Sequence, residues 1–274
     1  MANSKQESQQ KQAPSGEFKI KRWILLRGLA RGAGHWADFP EILKSKLGEV
    51  EIELLDIPGN GVFNDEKSPL NLDGYVDFLR EKSVLAKKGT VGILAISLGA
   101  MIAINWATRY PNEIDGIVLS CTSSARSPFF RRLSWTQYPF VLKSFLIRDE
   151  EERERTILEM ICRNHSRINQ YLKEFVDYAR RLPINRSNVV RQLLAARRFR
   201  LPEKPKVPVL LLGAWGDRFV SPRCTLDIAE YWKVTPVMHP WGGHDLVIDD
   251  PQWLAEQAQS IQAPGLRTEA SPTI

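Results

Sequence analysis

The chain is 274 residues long, with 43% hydrophobic and 26% charged residues and a formal net charge of +6. That balance is ordinary for a folded globular protein and excludes a disordered, collagenous or disulfide-scaffold chain. No apolar run approaches the roughly 20 residues needed to cross a bilayer, so no transmembrane segment is expected. Residues 1–17 are rich in Gln, Ser and Lys and lack the apolar stretch of a signal peptide. They read as a disordered tail, as do residues 263–274. Cys121, Cys162 and Cys224 are too few and too scattered for a zinc site, and their odd number argues against a disulfide framework. A reducing, cytoplasmic setting fits that usage.

Between the tails, short apolar runs alternate with helical periodicity. A strand is expected over Ile20–Leu26, a helix from Trp36 to Leu47, and a strand from Val50 to Asp56 that stops at Pro58-Gly59-Asn60-Gly61. Residues 71–86 have helical spacing. Thr90–Ile96 then reads as a buried strand that runs through Ser97-Leu98-Gly99 into an apolar helix closed by Pro111. Gly116–Ser120 is a further strand. Strict alternation of this kind predicts a parallel sheet with helices on both faces. It breaks over residues 122–205, which look helical and Arg-rich. Strand Val207–Leu212, a helix near Thr225–Tyr231, a strand near Thr235–His239 and a helix from Pro251 to Ile261 restore it. The division is therefore a core of residues 18–121 and 206–262 with a helical cap of residues 122–205.

The strongest chemical signal is Ala95-Ile96-Ser97-Leu98-Gly99. A serine becomes a useful nucleophile when its hydroxyl is exposed, has a base beside it and faces an oxyanion hole. A tight turn from strand to helix exposes it, and small residues two before and two after relieve the crowding. Two partners follow at expected strand ends. Asp217 lies in Gly213-Ala214-Trp215-Gly216-Asp217, and His244 in Trp241-Gly242-Gly243-His244-Asp245. Carboxyl ends of parallel strands are where such sheets place reactive groups. Serine would attack, histidine would carry the proton and aspartate would fix the histidine tautomer. His239 is a weaker candidate, and His35 and His165 look incidental. No HExxH, His/Asp cluster or CxxC is present, so no metal is expected. With neither a Walker loop nor a GxGxxG opening a helix, no cofactor is expected either.

The order Ser, Asp, His, the serine turn and Asp56-Ile57-Pro58-Gly59-Asn60-Gly61 together resemble the α/β-hydrolases, over roughly residues 20–262. The resemblance implies an α/β fold, a mostly parallel sheet flanked by helices, with a helical cap inserted after the sixth strand. The loop Arg27-Gly28-Leu29-Ala30-Arg31-Gly32-Ala33-Gly34-His35-Trp36 matches the family's oxyanion loop, which usually opens with His-Gly. It implies backbone N–H donors at Leu29 and Leu98. Arg27 replaces the usual histidine and either props the loop or adds positive charge near substrate. Arg27, Trp36, Phe129 and Trp135 are candidate substrate contacts, although docking on the core is the favoured reading of the aromatics at the start of the cap.

Residues 122–204 hold 18 Lys and Arg against 9 Asp and Glu, a surplus of +9, while the rest of the chain carries −3. Such asymmetry suggests an anionic partner or a solvated helical surface. The cap resembles that of small bacterial carboxylesterases such as the pimeloyl-[acyl-carrier protein] methyl ester esterase. That resemblance implies an acidic acyl-carrier protein, or coenzyme A, as the bearer of the acyl ester. Nucleic acid is not expected, because no binding motif or stacking module is evident. The expectation is a serine ester hydrolase acting on a small-molecule or acyl-chain ester. The same triad could instead cleave a C–C bond, a lactone or a lipid, or the fold could serve as a non-catalytic binding protein.

Overall fold

The computed structural model describes residues 19–262, so both expected tails lie outside the described residues. Six strands form one sheet: β1 (Arg22–Leu26), β2 (Glu51–Leu54), β3 (Val91–Ile96), β4 (Ile114–Ser120), β5 (Val209–Ala214) and β6 (Val237–His239). Their order is β2-β1-β3-β4-β5-β6. Every pairing is parallel. The central strands are apolar at nearly every position because both sheet faces are covered. In β1 the side chains alternate: Trp23 and Leu25 enter one core and Ile24 and Leu26 the other.

The first core is closed by α1 (Phe39–Leu47), through Phe39 and Leu43, and by helical residues near the chain's end. The second is closed by α2 (Leu72–Lys82) and by α4 (Leu98–Arg109), with α3 (Val84–Lys88) between them in sequence. The single helix expected over residues 71–86 is two. Ser83 breaks it, because its hydroxyl caps the amide of Ala86 and donates to Glu53 at 2.6 Å.

Between β4 and β5 lie α5 (Phe129–Arg132), α6 (Tyr138–Leu146), α7 (Glu150–Ile161), α8 (His165–Arg181) and α9 (Arg186–Arg198), with no strand among the described residues. This helical segment follows the fourth strand, not a sixth, since only four of the sheet's six strands precede it. The remainder is α10 (Pro222–Trp232), β6, α11 (Leu246–Asp249) and α12 (Pro251–Ser260), with Leu254, Ala255 and Ala258 of α12 completing the first core. The break between α7 and α8 is held from the sheet's side. Asp249 accepts the amides of Arg163 and Asn164 at 2.7 and 2.8 Å, and Asn164 in turn caps α8. Among the described residues no helix is long and apolar enough to cross a membrane.

The chain moves from β1 to β2 on one side and then returns to place β3 on the other side of β1. Parallel sheets open a crevice at such a reversal, outside the carboxyl ends of the strands. The loops after β1 and β3 meet there.

Candidate active site

Ser97 sits between the last residue of β3 and the first of α4, with φ 56° and ψ −115°. A non-glycine residue in that region is strained, at a cost of order 1–3 kcal/mol, and persists only where its surroundings fix it. Two glycines provide the space. A Cβ on Gly99 would lie 2.6 Å from the carbonyl oxygens of Leu26 and Arg27, and one on Gly28 would lie 3.0 Å from Ser97 Cβ. The β1 loop therefore rests directly against the serine turn.

Asp217 follows β5 and His244 follows β6, both buried. His244 Nδ1 lies 2.8 Å from Asp217 Oδ2. The other carboxylate oxygen of Asp217 accepts the amides of Phe219 and Val220, each at 2.9 Å, which fixes the plane of the group. The His244 backbone is tied to the helical segment, because its amide and that of Asp245 both donate to the Ile161 carbonyl, at 2.7 and 3.1 Å. Asp249 accepts the Gly243 amide as well as those of Arg163 and Asn164. One carboxylate thus joins the histidine loop to the α7–α8 junction.

Ser97, His244, Leu29 and Phe219 line a cavity of about 200 Å³ roofed by the helical segment. Leu133, Val141, Phe145, Ile157 and Leu193 make most of that roof apolar. Among the described residues no hydrogen bond uses the N–H of Leu29, and Leu98, as first residue of α4, has no intrahelical acceptor. The Leu98 side chain points away into the second core. The β1 loop is braced from two sides. Ala30 donates to Gln192 of α9 at 3.0 Å, Gln192 reaches Asn60, and Asn60 holds the Arg31 carbonyl. Asp56 accepts Ala33 and Val62 amides at 2.6 and 2.9 Å. That is the structural role of the Asp56–Gly61 segment.

The four expected substrate contacts separate. Arg27 lines the cavity, but both its terminal nitrogens are engaged by Asp245, so it braces the loop. Trp36 does not line the cavity; it is fully buried in the first core, stacked on Phe39. Phe129 and Trp135 are 51% and 68% exposed and neither line the cavity nor dock the segment, because the helices they start turn these rings to the surface. Many arginines of the segment are held internally. Arg132 bonds the Ala196 and Arg197 carbonyls, Arg167 pairs with Asp38, Arg153 with Glu150, and Arg191 holds the Ser68 carbonyl.

Four polar residues of the site escape the sequence reading: Arg31, His35, Glu154 and Asp245, all buried and all lining the cavity. His35, read as incidental, belongs to this group. Glu154 carried a usable signal, since it falls at helical spacing with Ile157, Leu158 and Ile161 on the inward face of α7. His239 is structural: its Nδ1 accepts the Gly242 amide at 2.7 Å and its Nε2 faces Asp250 at 3.2 Å. His165 is exposed at the start of α8. The ligand atoms of Cys121, Asp217 and His244 lie within 4.8 Å of one another. Burial, and then the Asp217 charge, push the Cys121 thiol well above its usual range, so it stands there as a neutral thiol.

Residues 70–251 match the protein family described as Hydrolase_4: Serine aminopeptidase, S33. No curated protein matches the chain. Several solved structures share its fold at low identity. The meta-cleavage product hydrolase CumD from Pseudomonas fluorescens IP01 is 16% identical, with 89% of this chain and 90% of that one covered and a TM-score of 0.69. The esterase RhEst1 from Rhodococcus sp. ECU1013 is 15% identical, with 89% and 91% covered and a TM-score of 0.66. A putative lipase from Acinetobacter baumannii AYE is 20% identical, with 87% and 82% covered and a TM-score of 0.67.

Proposed function

Because the chain belongs to the family described as serine aminopeptidase, S33, and is a hydrolase of the α/β-hydrolase fold, we propose that it cleaves carboxylic esters through an acyl-enzyme on Ser97. The observation that carries this reading is the 2.8 Å bond between His244 Nδ1 and the buried Asp217, with His244 lining one cavity with Ser97. That bond leaves Nε2 as the free ring nitrogen. Ser97 Oγ attacks the ester carbonyl while Nε2 takes its proton, and Asp217 holds the tautomer and the resulting imidazolium. The oxyanion accepts from the Leu29 and Leu98 N–H groups at the positive end of α4. Collapse expels the alcohol, which receives the proton from His244. Water then attacks the acyl-Ser97 ester, giving up a proton to His244, and release of the acid restores the serine.

The apolar roof suits a small-molecule or acyl-chain ester. Delivery by an acidic acyl-carrier protein or by coenzyme A gains no support from the family or from the structural neighbours. The test is peptide mass spectrometry after a fluorophosphonate probe, run beside turnover of esters of graded length and of aminoacyl arylamides. One adduct on Ser97 with ester turnover is expected. Labelling elsewhere, or turnover of the arylamides alone, overturns the reading.

A further inference from the structure

The cavity is mostly apolar; its charged lining comprises Arg27 with Asp245, Glu150 with Arg153, Arg186, and one wall between the loop after β1 and α7. There Arg31, from the loop after β1, meets Glu154 of α7, with Nη1 2.6 Å from Oε2. His35 lies beside them, its Nε2 4.0 Å from the same oxygen and beyond hydrogen-bond reach. All three residues line the cavity and are at least nine-tenths buried. Burying an ion pair costs desolvation, and a pair of this kind only breaks even when its remaining donors and acceptors are also satisfied. Here they are not.

The unused groups can be counted. His35 Nδ1 lies 3.1 Å from the Gly32 amide nitrogen and 3.3 Å from the Gly32 carbonyl oxygen; in the tautomer that accepts the closer amide, the proton of the neutral imidazole sits on Nε2, and Nε2 has no partner in either tautomer. Burial, and then the charges of Arg31 and Arg27, hold the ring well below its ordinary 6.5, so it is neutral near pH 7. Its Nε2–H has no acceptor, nor has Arg31 Nη2. Glu154 Oε1 receives no hydrogen bond among the described residues. The wall therefore offers unused donors and one unused acceptor, and Arg31, Glu154 and neutral His35 together carry no net charge. A substrate carboxylate would meet the charge of Glu154, and an ammonium that of Arg31. A hydroxyl is both donor and acceptor and satisfies both sides at once.

We propose that Arg31, His35 and Glu154 form a hydroxyl-binding wall, so that the preferred substrates are esters with a hydroxyl on an otherwise apolar group. This rests on the acyl-Ser97 reading above. It makes Arg31, His35 and Glu154 determinants of specificity, whereas a purely structural pairing of loop and α7 would leave substrate choice untouched.

The test compares matched esters on the full chain by pH-stat titration. Methyl hexanoate is set against methyl 2- and 3-hydroxyhexanoate, propyl hexanoate against 2-hydroxyethyl hexanoate, and monomethyl adipate supplies the carboxylate. At least one hydroxylated ester should exceed its plain partner about ten- to hundredfold in kcat/KM, the range for a hydrogen bond to a charged group. Equal rates across each pair, or preference for the adipate, overturn the wall while leaving the ester reading intact. No turnover of any ester together with no adduct on Ser97 overturns both. In the double variant Arg31→Gln/Glu154→Gln and in His35→Phe, the hydroxyl-to-plain ratio should collapse toward one whatever happens to the common rate. A ratio equal to that of the parent in a folded variant also overturns the proposal. Should the variants fail to fold, the paired substrates on the unaltered chain still decide.

Discussion

Arg27 grips Asp245 with both terminal nitrogens, Nη1 to Oδ1 at 3.0 Å and Nη2 to Oδ2 at 2.5 Å, and both residues are almost fully buried. The pair ties the loop after β1 to the residue that follows His244. The guanidinium also lies 5.1 Å from the Trp36 ring. Burial alone would raise the Asp245 carboxyl, but the Arg27 charge and hydrogen bonds outweigh it and hold it below the ordinary carboxylate value. The two hydrogen bonds of one buried arginine thus fix the loop after β1 and the loop that carries His244 against each other.

Removing one side of that pair strands a charge in the interior. Arg27→Met is expected to cost about 3–5 kcal/mol of stability, and the double variant Arg27→Met/Asp245→Leu should recover most of it. Urea unfolding of the three proteins checks this. A single variant within about 1 kcal/mol of the parent would show the pair to be solvated.

Ser97→Ala should abolish ester turnover, by about 10⁴-fold or more, without loss of fold. The serine hydroxyl makes no hydrogen bond in the described structure, so its removal strands no partner. Asp217→Asn should lower kcat by about 10⁴-fold, because an amide can donate to His244 Nδ1 and select the wrong tautomer. Steady-state kinetics with circular dichroism separates lost chemistry from lost structure. Retained turnover in Ser97→Ala would remove the serine from the mechanism.

The fold was legible because β1, β3, β4 and β5 are nearly continuous apolar runs, and runs of that kind have one stable home, a parallel sheet covered on both faces. The serine turn was legible from Ala95 and Gly99 for a related reason, since crowding restricts what can flank it. Arg31 and Glu154 were not, although they touch. They stand 123 positions apart, and nothing local distinguishes Glu154 from the exposed acid Glu151 beside it except its place on the inward face of α7. Trp36, Phe129 and Trp135 misled for the opposite reason. A large ring signals burial or binding, but only the packing of helices decides whether it enters the core, as Trp36 does, or faces water, as Trp135 does.

Gly99 is constrained by backbone rather than by side chains. Its missing Cβ would meet the carbonyl oxygens of Leu26 and Arg27 at 2.6 Å, and neither can rotate away. Gly99→Ala should therefore displace α4 from the end of β1, at a cost of about 1–3 kcal/mol, and reduce ester turnover together with stability. Thermal unfolding and kcat/KM measured on the same preparation test the coupling. A stable variant with full activity would show that the two elements have room to part.

His35 gives the fold a dependence on pH whose sign follows from its environment. Burial comes first among the causes, then the positive charges of Arg31 and Arg27, and all three hold its pKa well below 6.5. Glu154, the acid facing it, is engaged by Arg31 and lies 4.0 Å from the ring. As pH falls through 6.5 the unfolded chain takes up a proton that the folded chain refuses. The stability contributed by the neutral ring is complete above 6.5 and declines progressively below it, toward the folded value, by at most about 1.4 kcal/mol per pH unit. Asp245 works in a lower window, because its carboxyl is held below 3.8 and its contribution persists until that group protonates. Urea unfolding at pH 7.5, 6.5 and 5.5 should therefore show a loss between 6.5 and 5.5 that His35→Asn removes. The same loss in the variant would assign the acid sensitivity to another group and leave His35 protonated within the fold.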